Sequence, residues 1–329
     1  MLLILVLVDQ PKIQFSDLYW QLSLACHNGK KAIRQAFADR FVFIGTPLAP
    51  SITMSSQNSG SKGAALVTGA AQGIGRAIAL RLAADGFDVG VNDIASKAAQ
   101  LDKVKQEIIA AGRRSAVFCA DVSVDSEVKD MVAGVVAALG GLDVVSAVFA
   151  LTAVHLPSAH WIRWSPMRGS AKRAASLLDV SPAEWDRTFE INVRGMFLCY
   201  QYAAKQMILQ GRGGRIIGAT SGAGKQGNAM MPDYCSSKFA VRGLTQSAAC
   251  EFGKHKITVN AYAPGAVITP MTEQFAPLAN MSQEDFFAMQ AKMAATGVNP
   301  TTDDIATIVS FLASKEAGFI TGQSHGTFL

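Results

Sequence analysis

The sequence predicts an α/β fold, one doubly wound parallel sheet over residues 61–329. Two observations lead there. Short apolar runs recur at 64–68, 88–93, 115–119, 142–145, 215–220 and 257–261, with helix-forming stretches between them. The runs are continuously apolar rather than alternating, as in strands buried on both faces.

The first run, Ala64 to Thr68, passes straight into Gly69-Ala70-Ala71-Gln72-Gly73-Ile74-Gly75. Ile78 and Leu82 then space a helix over 76–84, closed by Gly86 as its C′ residue. Strand, glycine turn and helix together form a dinucleotide fingerprint. The glycines let backbone approach a pyrophosphate, and the helix N-terminus stabilises its charge. The second strand ends at Asp93, 18 residues after Gly75, close to the spacing of a ribose-binding acid. A carboxylate there accepts from ribose hydroxyls and repels a 2′-phosphate, which favours NAD over NADP. The alternative is a surface Asp capping a turn.

Helices are expected over 96–111 and 125–139, flanking the third strand and its exit at Asp121-Val122. After the fourth strand the pattern breaks. Residues 146–174 mix two Trp, two Pro and four basic residues without a period of 2 or 3.6, and an irregular insertion is expected. Ser181-Pro182-Ala183-Glu184 is a capping box with proline at N1, opening a helix to about Leu209. Asn192 sits within it, either facing solvent or serving the site.

The fifth strand ends at Ser221, on the sheet edge where such folds bind ligands. Tyr234 follows 13 residues later and Lys238 four beyond, on one face of a helix over 234–252. An ammonium beside a phenol favours the phenolate, so the Tyr234 pKa is expected to fall and suit proton exchange with an alcohol oxygen. After the sixth strand comes Pro264-Gly265-Ala266-Val267-Ile268-Thr269-Pro270. Residues 271–300 read as an apolar lid or a packed helical pair, and Thr302-Asp303-Asp304 caps a last helix over 305–313.

These residues, over about 62–323, resemble the short-chain dehydrogenase/reductase family. The resemblance rests on Thr68-Gly69-x3-Gly73-x-Gly75, Asp93, Asp121, Asn192, Ser221, Tyr234-x3-Lys238, Pro264-Gly265 and Thr269. The stretches from Tyr234 to Gln246 and from Thr258 to Gly265 are most similar to acetoin (diacetyl) reductases and 2,3-butanediol dehydrogenases. The resemblance implies a Rossmann domain and hydride transfer between NAD and a small secondary alcohol or ketone. It makes Tyr234 the proton donor or acceptor and Lys238 its partner and a ribose ligand. Ser221 holds the substrate oxygen, and Asn192 positions a water leading from Lys238. It implies cofactor contacts at Thr68, Gly69, Gln72, Gly73, Ile74, Gly75, Asp93, Asp121, Val122, Tyr234, Lys238, Pro264, Gly265, Val267 and Thr269. Asn228 matches a position that orients small hydroxyketones, and a homo-oligomer (dimer or tetramer) is implied.

The chain departs from the family pattern twice. The Asn-x-Ala-Gly-like turn after the fourth strand is replaced by Ser146-Ala147-Val148-Phe149. The ending Asp-Gly-Gly strand is also missing, the chain running out at His325 to Leu329. Two rival readings stay open: a dinucleotide-binding relic with an impaired site, and a reductase of 3-oxoacyl or polyol substrates.

Composition excludes other classes. Net charge is +5 and no basic run exceeds two residues, which argues against nucleic acid. Five scattered cysteines without C-x-x-C read as reduced thiols in a cytoplasmic protein. Neither His155 and His160 nor any other group has metal-ligand spacing, so no metal is expected. No run is long enough to span a bilayer. The apolar start, Met1 to Val8, is short and lacks a positive leader region. Residues 51–63 suit a linker, so 1–60 is expected to lie outside the catalytic domain.

Overall fold

The computed structural model describes residues 60–148, 176–229, 231–270, 272–278 and 281–326. The expectations for residues 1–59, for 149–174 and for 327–329 fall outside them.

Seven strands form one sheet: β1 (Ala64–Val67), β2 (Asp88–Asp93), β3 (Ser115–Cys119), β4 (Val144–Ala147), β5 (Gly214–Ala219), β6 (Ile257–Ala263) and β7 (Ser324–Gly326). Their order is β3-β2-β1-β4-β5-β6-β7 and every pairing is parallel. The order reverses between β1 and β4, the crevice where doubly wound sheets bind ligands. The connecting helices are α1 (Gly73–Ala84), α2 (Ala98–Ala110), α3 (Asp125–Leu139), α4 (Pro182–Phe189), α5 (Gly195–Gln210), α6 (Pro232–Phe252), α7 (Phe275–Leu278), α8 (Gln283–Met293) and α9 (Thr302–Ala313).

Strand alternation sends neighbouring side chains into two cores. Leu66, Val145 and Ile216 join Val128 and Val135 of α3, Met196 and Met207 of α5 and Val241 of α6. Val67, Val144 and Ile217 join Ile78 and Leu82 of α1, Leu101 and Ile108 of α2 and Val309 of α9. Each fully buried Leu or Ile contributes about 1.5–3 kcal/mol, so the edge that carries the site stands on a rigid base.

The structure corrects several expectations. β4 is shifted two residues along, because Leu142 and Asp143 are taken up in the entry. The Asp143 N–H donates to the Ala64 carbonyl at 2.8 Å and its carboxylate accepts from the Ala64 N–H at 2.9 Å. The last strand forms without Asp-Gly-Gly. Gly322, at φ 72°, donates to the Val259 carbonyl at 2.8 Å. Gln323 then donates to Asn260 Oδ1 at 3.1 Å, leading β7 onto β6, where the strands pair through their backbones. The long helix expected from Pro182 is broken by a π-helical segment, Glu190–Arg194. The last helix is capped by Thr301, whose hydroxyl and Asp304 form the capping box. Among the described residues of 271–300 the chain is largely helical, in α7 and α8.

At the end of β4 the described chain is tied to Thr68. Thr68 Oγ1 accepts from the Val148 N–H at 2.9 Å, and the Thr68 N–H donates to the Ser146 carbonyl at 3.1 Å.

Candidate active site

The glycine turn leaves β1 with Gly69 at φ 58° and Gly73 at φ 55°, conformations that favour glycine. A Cβ on Gly69 would meet the Val148 carbonyl oxygen at 2.5 Å, and one on Gly75 would strike the Gly69 carbonyl. The turn therefore stays bare and the chain packs tightly behind it. Gln72 precedes α1 in extended conformation without a side-chain cap, and the first turn of α1, with Ile74, carries no acidic residue. Its N–H groups and dipole suit an anion.

Asp93 stands at the end of β2 beside this turn. Its Oδ2 accepts from the Ala71 N–H at 3.3 Å and its Oδ1 from the Ile94 N–H at 2.9 Å. Buried Asn92, which the sequence reading passed over, donates to the Phe118 and Ala120 carbonyls at 2.9 and 3.1 Å. It thereby holds the ends of β2 and β3 together. Asp121 turns its carboxylate toward Ser123, accepting from the N–H at 2.9 Å and the hydroxyl at 2.7 Å. Val122 is buried, and its Cγ2 lies 3.0 Å from where a Cβ on Gly195 would be.

The loop after β6 closes on the same edge. The Pro264 carbonyl accepts from the Gly222 N–H at 2.9 Å, next to Ser221. The Gly265 carbonyl accepts from the Val267 N–H at 3.1 Å. Thr269 and Thr272 share a hydroxyl contact at 3.1 Å, and Thr269 Cγ2 sits 3.6 Å from where a Cβ on Gly73 would be. The first turn of α1 and the Pro264–Thr269 loop are thus neighbours, although nearly 200 residues apart in sequence. A bare glycine turn, a helix N-terminus and a carboxylate at the end of the adjacent strand fit a dinucleotide.

The reacting end is built on α6. Tyr234 and Lys238 lie one turn apart, with Lys238 Nζ 5.6 Å from the Tyr234 ring centre. Lys238 is 1% exposed, and its ammonium donates to the Ala219 carbonyl at 3.1 Å. Thr220 Oγ1 donates to the Lys238 carbonyl at 2.9 Å. Ser221 caps the short turn Gly222–Gly224, accepting from the Ala223 N–H at 3.2 Å, and is hydrogen-bonded to the Tyr234 phenol. Asn192 lies in the π segment and is fully buried, which removes the solvent-facing alternative. Its Nδ2 donates to Ser237 Oγ at 3.1 Å, and Ser237 donates to the Tyr234 carbonyl at 2.8 Å. Asn228 is half-buried, and its N–H donates to Cys235 Sγ at 3.4 Å, which ties its loop to the first turn of α6.

Electrostatics overturn one expectation. Burial pushes the Tyr234 phenol above its ordinary value; the Ser221 hydrogen bond pulls the other way, and Cys235 adds to the rise. Burial also brings Lys238 down to about 7. Lys238 therefore depresses Tyr234 less than the sequence argument supposed. Burial disfavours its charged form, and its ammonium donates to the Ala219 carbonyl.

Ser237, Thr220 and the Ala219 carbonyl were not foreseen. Their only signal was small or polar residues at positions a buried strand end and helix face would otherwise fill with Val or Leu.

Residues 63–279 match the model of the short chain dehydrogenase family. The chain belongs to the short-chain dehydrogenase/reductase family. It is 46% identical over 260 residues to a short-chain dehydrogenase/reductase of Armillaria gallica, covering 79% of this chain and 92% of the relative. It is 38% identical to a 3-oxoacyl-[acyl-carrier-protein] reductase of Staphylococcus aureus over 79% of this chain and 94% of that one. The crystal structure of an acetoin dehydrogenase from Enterobacter cloacae superposes with a TM-score of 0.65 at 31% identity, covering 82% of this chain and 95% of the other. This short-chain dehydrogenase/reductase is an oxidoreductase of alcohol and ketone groups, in a family that binds nicotinamide dinucleotides. Among the described residues no helix is long and apolar enough to cross a membrane, and no group of metal-ligating side chains gathers.

Proposed function

We propose that this enzyme interconverts a small secondary alcohol and its ketone, of the acetoin, diacetyl or 2,3-butanediol class, with NAD rather than NADP. The observation that carries the reading is the convergence of Ser221, Tyr234 and Lys238 at the end of β5. The bound nicotinamide supplies or accepts the hydride. Every other part of the task falls to the chain. Tyr234 donates the proton to the carbonyl oxygen in reduction and takes it back in oxidation. Ser221 holds that oxygen. Lys238, near neutrality in its own titration, is suited to replenish the Tyr234 proton. Asn192 holds the backbone of Tyr234 through Ser237, and in this reading it orders a water beyond Lys238. Thr68, Gly69, Gln72, Gly73, Ile74 and Gly75 cradle the pyrophosphate. Asp121 and Val122 border the adenine, while Pro264, Gly265, Val267 and Thr269 border the carboxamide.

Asp93 supports NAD, because a carboxylate at the ribose position disfavours a 2′-phosphate. The likeness to the acetoin dehydrogenase and the match at Asn228 support a small hydroxyketone. The likeness to the 3-oxoacyl reductase supports the longer substrate as the second reading. The exposed apolar face of Phe197, beside Phe189 and Val193, supports self-association. A purified-protein panel of diacetyl, acetoin, polyols and 3-oxoacyl thioesters, each with NADH and NADPH, separates these readings. Preference for NADPH and a 3-oxoacyl thioester would overturn the first.

A further inference from the structure

Three buried polar pairs join the α4–α5 helical run to α6: Thr188 with Asp233, Asn192 with Ser237, and Tyr200 with Thr245. Each pair is separated by 45 residues, so the two helical runs advance in step, turn for turn. The position between the second and third rungs is taken by Met196 and Val241, both buried in the same apolar core. The π segment lies between the first rung and α5, so the ladder keeps its offset through a local change in helix pitch.

The first rung has the closest bearing on the site. Thr188 Oγ1 donates to Asp233 Oδ2 at 2.7 Å, and the two residues are 2% and 1% exposed. Asp233 Oδ1 has no partner among the described residues. A carboxyl held in a core by one hydrogen bond is costly where Val and Leu would fill the space. The first turn of the 21-residue helix α6 offsets part of that cost through its dipole. Asp233 immediately precedes Tyr234, and Thr188 lies one turn before Asn192. This rung therefore fixes the N-terminal turn of α6 against the element that carries Asn192.

We propose that Thr188 and Asp233 are positioning residues, whose hydrogen bond holds Tyr234 in register with Ser221 and Asn192. The proposal rests on the assignment of Tyr234 as the proton-transfer group. Without the rung, the first turn of α6 is free to lean away, and small displacements of reacting groups are heavily penalised.

The test is Thr188→Val, which keeps shape and removes the donor, with Thr188→Ser restoring it. In Thr188→Val, kcat is expected to fall about tenfold, with KM for ketone and NADH nearly unchanged. Thr188→Ser is expected to recover the wild-type rate. Tyrosinate formation followed by near-ultraviolet difference titration gives a reading independent of turnover. Loosening α6 lets water reach Tyr234, so its midpoint should drop by about one pH unit, and this drop should vanish in a Tyr234→Phe background. A folded Thr188→Val with wild-type kcat and midpoint overturns the proposal. So does a fall in kcat that Thr188→Ser does not recover. If Thr188→Val does not fold, Thr188→Ala carries the same two readings. A wild-type protein that reduces no ketone sinks the assigned activity alone, because the titration still decides whether the rung holds Tyr234.

Discussion

Lys238 Nζ lies 5.6 Å from the Tyr234 ring centre while donating to the Ala219 carbonyl at 3.1 Å. The pair is buried, and burial displaces the two groups in opposite directions, the phenol upward and the ammonium to about 7. An unfolded lysine titrates near 10.4, so between about pH 7 and 10 the unfolded chain binds the extra proton. Stability contributed by this site therefore rises with pH over that window. Tyr234, displaced upward, loses its contribution only above its ordinary range. Chemical denaturation of wild type and Lys238→Met should show the difference moving in favour of wild type from pH 7 to 9. A constant difference contradicts the burial argument.

Asp93 sets the cofactor prediction. Its carboxylate accepts from the Ala71 and Ile94 N–H groups, and in the proposed reading it also accepts from the ribose hydroxyls. The wild type is expected to use NADH at least about tenfold better than NADPH, each tenfold being about 1.4 kcal/mol. Asp93→Ser should narrow that ratio, mainly through KM. Equal kcat/KM for both cofactors in the wild type would show that Asp93 is only a turn cap.

Gly69 combines a φ of 58° with the Val148 carbonyl 2.5 Å from where a Cβ would stand. Gly69→Ala is expected to cost about 1–2 kcal/mol from the left-handed backbone alone, with more from the contact. Its Tm should fall and its NADH Kd should rise together. A Tm equal to wild type would mean that the turn relaxes freely.

Asp88 anchors the far end of β2 and is 1% exposed. Burial pushes its carboxyl up. The backbone N–H and guanidinium of Arg114, with Ser61 and Arg113, outweigh it and hold the carboxyl below the usual range. Its contribution is therefore complete above about pH 4 and is lost as pH falls through the lowered value. Asp88→Asn should destabilise by about 3 kcal/mol at neutral pH, a gap that closes in acid. A gap independent of pH would place the loss in packing rather than charge.

The sheet was legible in the chain because its strands are buried on both faces, and continuous runs such as Ala64–Val67 and Val259–Ala263 carry that signature directly. The glycine turn and the Tyr234–Lys238 spacing were legible because backbone conformation and helix periodicity are local properties. What stayed hidden depends on tertiary packing. The π segment has no compositional mark, so Asn192 read as an awkward residue in an ordinary helix. The titration of Tyr234 was misjudged because proximity to Lys238 is visible in sequence, whereas the burial that raises the phenol and lowers the ammonium is not. β7 was missed because its pairing with β6 runs through backbone atoms that any sequence possesses.

The central claim is that Tyr234 transfers a proton at a nicotinamide-dependent alcohol–ketone site. Its most direct measurement is NADH oxidation with diacetyl or acetoin by wild type and Tyr234→Phe, alongside NADH binding to both. Wild type should turn over, and Tyr234→Phe should lose about a thousandfold in kcat while binding NADH with similar affinity. NADH binding without turnover across the ketone panel, or a Tyr234→Phe variant as active as wild type, would contradict the account.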